Sequence, residues 1–234
     1  MSTRKLICFP FAGAGASVFR PWLPSLSPHF DVVAVQLPGR EKRFIDPPFT
    51  SIEQAIDELL PQLAASLSDA SAITIFGHSM GAMLAFELAR RAQGRPGFDN
   101  CHLVVSGSPS PSQPRTEEAS GMDDDAFIAQ VERFAGYSHE ALADPEMREL
   151  LLPLLRADVG MHERYRPQDI TPLPVPITCV RAAGDQLVTV AEARAWQGVT
   201  SLPLEYAEVA GGHMYLADDP SELISLLMRT TVAL

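Results

Sequence analysis

Short apolar runs alternate along the chain with longer stretches in which apolar residues recur every three or four positions. The runs at 6–10, 32–36, 73–76, 103–106, 177–180 and 204–209 predict strands. All but the last are compact and rich in β-branched residues rather than alternating, as strands covered on both faces are. Ile52, Ile56, Leu59, Leu60, Leu63 and Leu67 predict an amphipathic helix. Thr50 and Glu53 are expected to form its capping box, and Pro61 to kink or shorten it. Residues 82–92 predict a second helix, closed by Gly94-Arg95-Pro96-Gly97, and 222–229 a third. Strand, helix, strand in repetition implies an α/β fold, a mainly parallel sheet flanked by helices.

The rhythm breaks between 109 and 176. No strand is expected there; a turn-rich entry leads to helical spacing at 123–135 (Phe127, Val131, Phe134) and at 145–165 (Met147, Leu150, Leu151, Leu154, Leu155). Asp123, Asp124 and Asp125 stand where negative charge complements a helix N-terminus. An all-helical insertion of this size is more than a crossover, and insertions at strand C-termini are where such folds build lids. The expectation is one domain over 1–234, with a core at 1–108 and 177–234 and a mobile helical lid at about 109–176.

Composition narrows the classes. A net charge of −11 argues against a nucleic-acid binder and against adhesion to an anionic membrane. With 46% hydrophobic and 20% charged residues the chain is expected to fold. The first apolar run stops at Pro10, too short for a signal peptide or a membrane span. Cys8, Cys101 and Cys179 are widely spaced in strand-like stretches and read as buried, reduced thiols of a cytoplasmic protein.

The strongest chemical signal is Gly77-His78-Ser79-Met80-Gly81, a G-x-S-x-G. The bare pattern is weak, since about one chain in ten of this length would contain it by chance. Its context is specific: it follows the strand at 73–76 and enters a helix directly, which projects the Ser79 hydroxyl above the sheet edge. A serine needs a base. His213 follows Gly211-Gly212 after the last strand and can hang over Ser79. His78 is held inside the turn, His29 lies beside a proline, His102 starts a strand, and His139 and His162 fall in the insertion. Asp185 tops the strand at 177–180 and is the expected orienting carboxylate; Asp218 and Asp219 read better as caps of the last helix. The order Ser79, Asp185, His213 is that of α/β-hydrolases. Backbone N–H groups of Met80 and of Ala12, in the small-residue loop at 10–17, are the expected oxyanion donors. Gly13-Ala14-Gly15 resembles part of a dinucleotide loop, but position 18 is Val18 and no Walker lysine follows.

These blocks carry a family resemblance. Leu6-Ile7-Cys8-Phe9-Pro10-Phe11-Ala12-Gly13-Ala14-Gly15-Ala16-Ser17 with Phe19-Arg20-Pro21-Trp22, Gln36-Leu37-Pro38-Gly39-Arg40-Glu41 and Gly77-His78-Ser79-Met80-Gly81-Ala82 resemble the type II thioesterases of polyketide and nonribosomal peptide assembly. Leu150-Leu151-Leu152-Pro153-Leu154-Leu155-Arg156-Ala157-Asp158, Gly184-Asp185-Gln186-Leu187-Val188 and Gly211-Gly212-His213-Met214-Tyr215-Leu216 are similar to that family's lid helix, acid loop and histidine loop. Phe11 and Gln186 depart from it, where histidine and proline are common. The resemblance implies a stand-alone editing enzyme that hydrolyses acyl thioesters from the phosphopantetheine arm of an acyl- or peptidyl-carrier protein. It implies no metal or cofactor, and a monomer is expected. Arg40, Lys42 and Arg43 form the compact basic cluster, either a docking point for the carrier or a solvated loop. A small-molecule carboxylesterase would use the same triad, whereas a non-catalytic binding protein of this fold would lack a triad member. The short stretch before the first strand favours a separate protein over an excised cyclising domain.

Overall fold

The computed structural model describes residues 3–67, 69–95, 98–113, 118–135 and 142–230, so Pro96, Gly97 and His139 lie outside it. Six parallel strands make one sheet: β1 (Thr3–Phe9), β2 (Asp31–Ala34), β3 (Ala70–His78), β4 (Cys101–Ser106), β5 (Ile177–Ala182) and β6 (Glu205–Val209), in the order β2-β1-β3-β4-β5-β6. Each expected run lies in or beside its strand. The central strands are apolar on both faces because both are covered. Ile7, Phe9, Ile73, Ile75, Leu103 and Val105 pack on one side with α2 (Ile52–Leu67) and α3 (Met80–Arg91). Leu6, Cys8, Phe76, Val104 and Val180 pack on the other with Phe19, Trp22, α1 (Leu23–Leu26) and α8 (Ser221–Arg229). All three cysteines are buried and free, and burial pushes the thiols of Cys101 and Cys179 up to about 12. Among the described residues no helix is long and apolar enough to cross a membrane.

Two local expectations are corrected. Ser51, one residue after Thr50, caps α2: its Oγ accepts the Gln54 N–H at 3.2 Å and donates to Glu53 at 2.7 Å. Pro61 does not shorten α2, which runs on to Leu67. Pro61 is exposed, so its missing donor falls on the wet side while Leu59, Leu60, Leu63 and Leu67 keep the other side buried.

The insertion carries α4 (Asp124–Ala135) and α5 (Pro145–Arg164). Asp123 caps α4, accepting the Ala126 N–H at 2.9 Å. Phe127 and Leu152 bury together with Ala119 in a small core of their own. The second half of α5 is bolted to the rest of the molecule. Arg164 donates to the Thr50 carbonyl at 3.2 Å and Tyr165 to Glu87 at 2.7 Å, while Glu163 accepts the N–H groups of Ala119 and Ser120 at 2.6 and 3.1 Å and so ties α5 to the entry of the insertion itself. The first half leaves Met147 and Leu150 exposed. After β5, α6 (Val190–Arg194) opens with a capping box of Thr189 and Glu192, and α7 (Tyr215–Asp218) follows β6.

Candidate active site

The serine turn is built by close approach. β3 ends at His78 and α3 begins at Met80, leaving Ser79 alone to reverse the chain at φ 53°, a region non-glycine residues rarely occupy. Such strain persists only where neighbours enforce it. A Cβ on Gly77 would stand 1.9 Å from the Gly81 carbonyl oxygen, and one on Gly81 would stand 2.5 Å from that of Phe9. Both flanking glycines are therefore required by contact, as the motif implied. The Ser79 N–H donates to the Ser106 carbonyl at 2.8 Å, tying the turn to β4.

The acid and histidine loops leave neighbouring strands and bind each other. The Ala183 and Gly184 N–H groups donate to the carbonyls of Val209 and Gly211, each at 2.9 Å. His213 Nδ1 lies 2.9 Å from Asp185 Oδ2. The other oxygen of Asp185 accepts the N–H groups of Leu187 and Val188 at 2.8 and 3.2 Å. From β5, Arg181 donates to the carbonyls of Asp185 and Val188 at 2.9 and 2.6 Å, bracing the loop from inside. Burial opposes ionisation of Asp185, but the hydrogen bond and charge of His213 and the two N–H groups outweigh it. They hold the carboxyl below its ordinary range. Asp219 accepts the Ser221 N–H at 3.0 Å just before α8, whose N-cap is Pro220, and Asp218 ends α7; the carboxylate on His213 is Asp185.

Ser79 and His213 open on one cavity of about 490 Å³. Phe11, Ala12 and Gly13 border it, and its wall is mostly aliphatic: Val131, Leu142, Leu151, Leu154, Leu155 and Val159 from the insertion, with Leu187 and Met214 from the core. Met80, the other expected oxyanion donor, begins α3 directly after Ser79.

A thioesterase-domain family model matches residues 4–230. The chain belongs to the thioesterase family. The gramicidin S biosynthesis protein GrsT of Aneurinibacillus migulanus is 31% identical to it, over 96% of this chain and 88% of that protein. Thioesterase PikA5 of Streptomyces venezuelae is 32% identical over 95% of this chain and 79% of its own. Among solved structures, the type II thioesterase BorB from the borrelidin biosynthetic cluster superimposes with a TM-score of 0.81 at 33% identity, covering 96% of this chain and 89% of that one. The protein is thus a type II thioesterase, a hydrolase with the α/β-hydrolase fold.

Several residues of this thioesterase acquire their meaning only in three dimensions. His78 is fully buried behind His213, ring centroids 4.9 Å apart, and Nδ1 meets Ser106 Oγ at 3.1 Å. Burial, then the neighbouring His213, push its imidazole well below the ordinary range, so it stays neutral. Ser106 passes the hydrogen bond on to the Tyr215 hydroxyl at 2.8 Å. His162 borders the cavity from α5, 3.4 Å from Ser108 Oγ.

Folding takes Arg40 out of the basic cluster and leaves Lys42 exposed. Arg40 is 5% exposed and paired with the buried Asp158 at 2.6 Å. Arg43 is taken up by Asp46 and Glu58 at 2.7 and 3.0 Å. A guanidinium with a buried partner cannot greet a carrier, so the three residues do not form one docking point. Sequence reasoning also passed over Asp158 as a functional residue. Its signal was a carboxylate on an apolar helix stripe, three and four positions after Leu155 and Leu154.

Proposed function

We propose that this thioesterase releases acyl groups from the phosphopantetheine arm of carrier proteins in polyketide or nonribosomal peptide assembly. The observation that carries the reading is the apolar cavity that meets Ser79 and His213 at one end, with Asp185 behind the imidazole. Its relatives support it, since GrsT is a gramicidin S biosynthesis protein and BorB comes from the borrelidin biosynthetic cluster.

In this mechanism Ser79 Oγ attacks the thioester carbonyl while the free imidazole nitrogen of His213 takes its proton. Asp185 receives the Nδ1–H and stabilises the imidazolium. The oxyanion lies between the N–H groups of Ala12 and Met80. Collapse breaks the C–S bond, and the pantetheine thiol leaves, its pKa near 8.5 making it a better leaving group than an alkoxide. Water, deprotonated by His213, then attacks the Ser79 ester. The carboxylic acid departs and the proton returns to Ser79.

The test compares one acyl group on a carrier, on free pantetheine and as an oxygen ester. Carrier-bound substrate is expected to be preferred over pantetheine by about tenfold in kcat/KM, roughly 1.4 kcal/mol of transition-state binding. Equal rates, or faster cleavage of the oxygen ester, would make this a general esterase.

The lid belongs to the same proposal, in a narrower form than the sequence suggested. The moving part is α4 with the first half of α5, because the second half is bonded to the core through Asp158, Arg164 and Tyr165. Hydrogen exchange is expected to be fast over 124–135 and 145–151 and slow over 158–164. Uniform protection across both would make the insertion a fixed layer.

A further inference from the structure

Asp158 stands outside the Ser79, His213 and Asp185 set, yet it is 1% exposed and grips the loop that holds Ala12. Its Oδ2 accepts the Gly13 N–H at 2.8 Å and Arg40 Nη1 at 2.6 Å, and its Oδ1 accepts Arg40 Nη2 at 2.8 Å. Arg40 spends its remaining donor capacity on the same neighbourhood, from Nη1 to the Ala14 carbonyl at 3.0 Å and from Nε to the Pro38 carbonyl at 3.1 Å.

What is gripped is a tight turn. The Ala14 N–H donates to the Phe11 carbonyl at 3.0 Å, and Gly13 has φ +78°. With Ala12 not among the positive-φ residues, this is a type II turn with Ala12 and Gly13 at its centre. Turns of types I and II differ by rotation of the middle peptide. Here that rotation would swing the Ala12 carbonyl oxygen toward the Asp158 carboxylate in place of the Gly13 N–H. Negative charge facing a carbonyl is repulsive, so Asp158 admits one orientation. A few residues on, Glu41 accepts the Ser17 N–H at 3.1 Å and fixes the exit of the loop.

We propose that Asp158, oriented by Arg40, is a positioning residue that locks the 11–14 turn, and with it the position of the loop from which the Ala12 N–H, one peptide earlier, reaches the developing oxyanion. The inference rests on the reading of Ala12 given above. It joins two parts of the enzyme that the sequence keeps 145 residues apart. Asp158 sits on α5, the helix whose Leu154 and Leu155 wall the acyl cavity, and a Cβ on Gly13 would stand 3.1 Å from Leu155 Cδ1. The Leu154 and Leu155 part of the chamber wall and the oxyanion loop are thereby tied together.

A stabilising role alone predicts something different. A buried ion pair can often be exchanged for well-packed apolar residues at little cost in stability, whereas removing one partner is costly. The double variant Arg40→Met/Asp158→Leu is therefore the informative protein: folded, but with no acceptor for the Gly13 N–H. The measurements are Tm, kcat and KM on one acyl-carrier substrate, and inhibition by two acyl-pantetheine analogues. One is a trifluoromethyl ketone, which forms an oxyanion on Ser79; the other is a thioether without a carbonyl. The expected result is a near-native Tm, kcat lower by about 10²-fold and KM within about threefold. The ketone should lose affinity by a factor similar to kcat while the thioether binds as before. Native kcat and ketone inhibition in the folded double variant would overturn the proposal. So would equal weakening of both analogues that tracks Tm. If the double variant does not fold, Arg40→Leu/Asp158→Met, which also lacks an acceptor for the Gly13 N–H, is judged by the same ketone-to-thioether ratio. Wild-type enzyme that fails to cleave the carrier thioester would instead defeat the functional reading, and this inference with it.

Discussion

Ser79→Ala is expected to lower kcat by about 10⁴- to 10⁶-fold while the protein stays folded. The size of the effect follows from what Ser79 supplies. It is the one hydroxyl carried at the strained reversal between β3 and α3, and no covalent intermediate can form without it. Folding is spared because the strain at φ 53° is imposed by Gly77, Gly81 and the bond to Ser106, all of which act through backbone. Alanine has to adopt the same conformation, so thermal stability should change by no more than about 1 kcal/mol. Intact-protein mass spectrometry after fluorophosphonate treatment should show one adduct on wild type and none on the variant. An adduct on another serine, or a variant that retains a tenth of the rate, would remove Ser79 from the role.

Asp185→Asn should reduce kcat by about 10⁴-fold with KM little changed. The carboxylate receives His213 on one oxygen and the Leu187 and Val188 N–H groups on the other. An amide can keep the second pair of bonds, but its NH₂ group facing Nδ1 would favour the tautomer in which the other nitrogen bears the proton. That nitrogen could then no longer take a proton from Ser79. The pH response adds a second check. The pKa of Asp185 is depressed in the folded protein, so its ionised form favours folding at all pH values above about 4, the unfolded value. That contribution is lost as pH falls through the lower, folded-state value. Wild type should therefore lose stability more steeply than Asp185→Asn on acidification below about pH 4. Parallel acid-unfolding curves would mean that the carboxylate is not held in its charged form. Unchanged kcat in the variant would assign the orientation of His213 to another group.

Much of this protein was determined by local pattern. Strand runs apolar on both faces could only belong to a covered parallel sheet, and the six strands form one. A serine between glycines, entered from a strand and left by a helix, announces its turn within five residues: the overlap at Gly77 is with Gly81 itself, although the overlap at Gly81 is with the Phe9 carbonyl of β1. Chain order likewise put Asp185 and His213 on loops after adjacent strands.

Tertiary structure decided what depends on partners distant in the chain. Charge was misread at Arg40, since nothing in a Gly-Arg-Glu-Lys-Arg run says that Asp158 will bury one of its guanidinium groups 118 residues away. The insertion read as one lid, but the bonds of Asp158 to Arg40 and of Tyr165 to Glu87 tie the end of α5 to the core. His78 looked like a turn residue and proved to be a buried imidazole set at a tilt against His213, ring centroids 4.9 Å apart. A pattern of apolar positions reports which face a residue turns to the core. It carries no information on which polar group it meets there, because buried hydrogen bonds and ion pairs are set by the packing of whole elements.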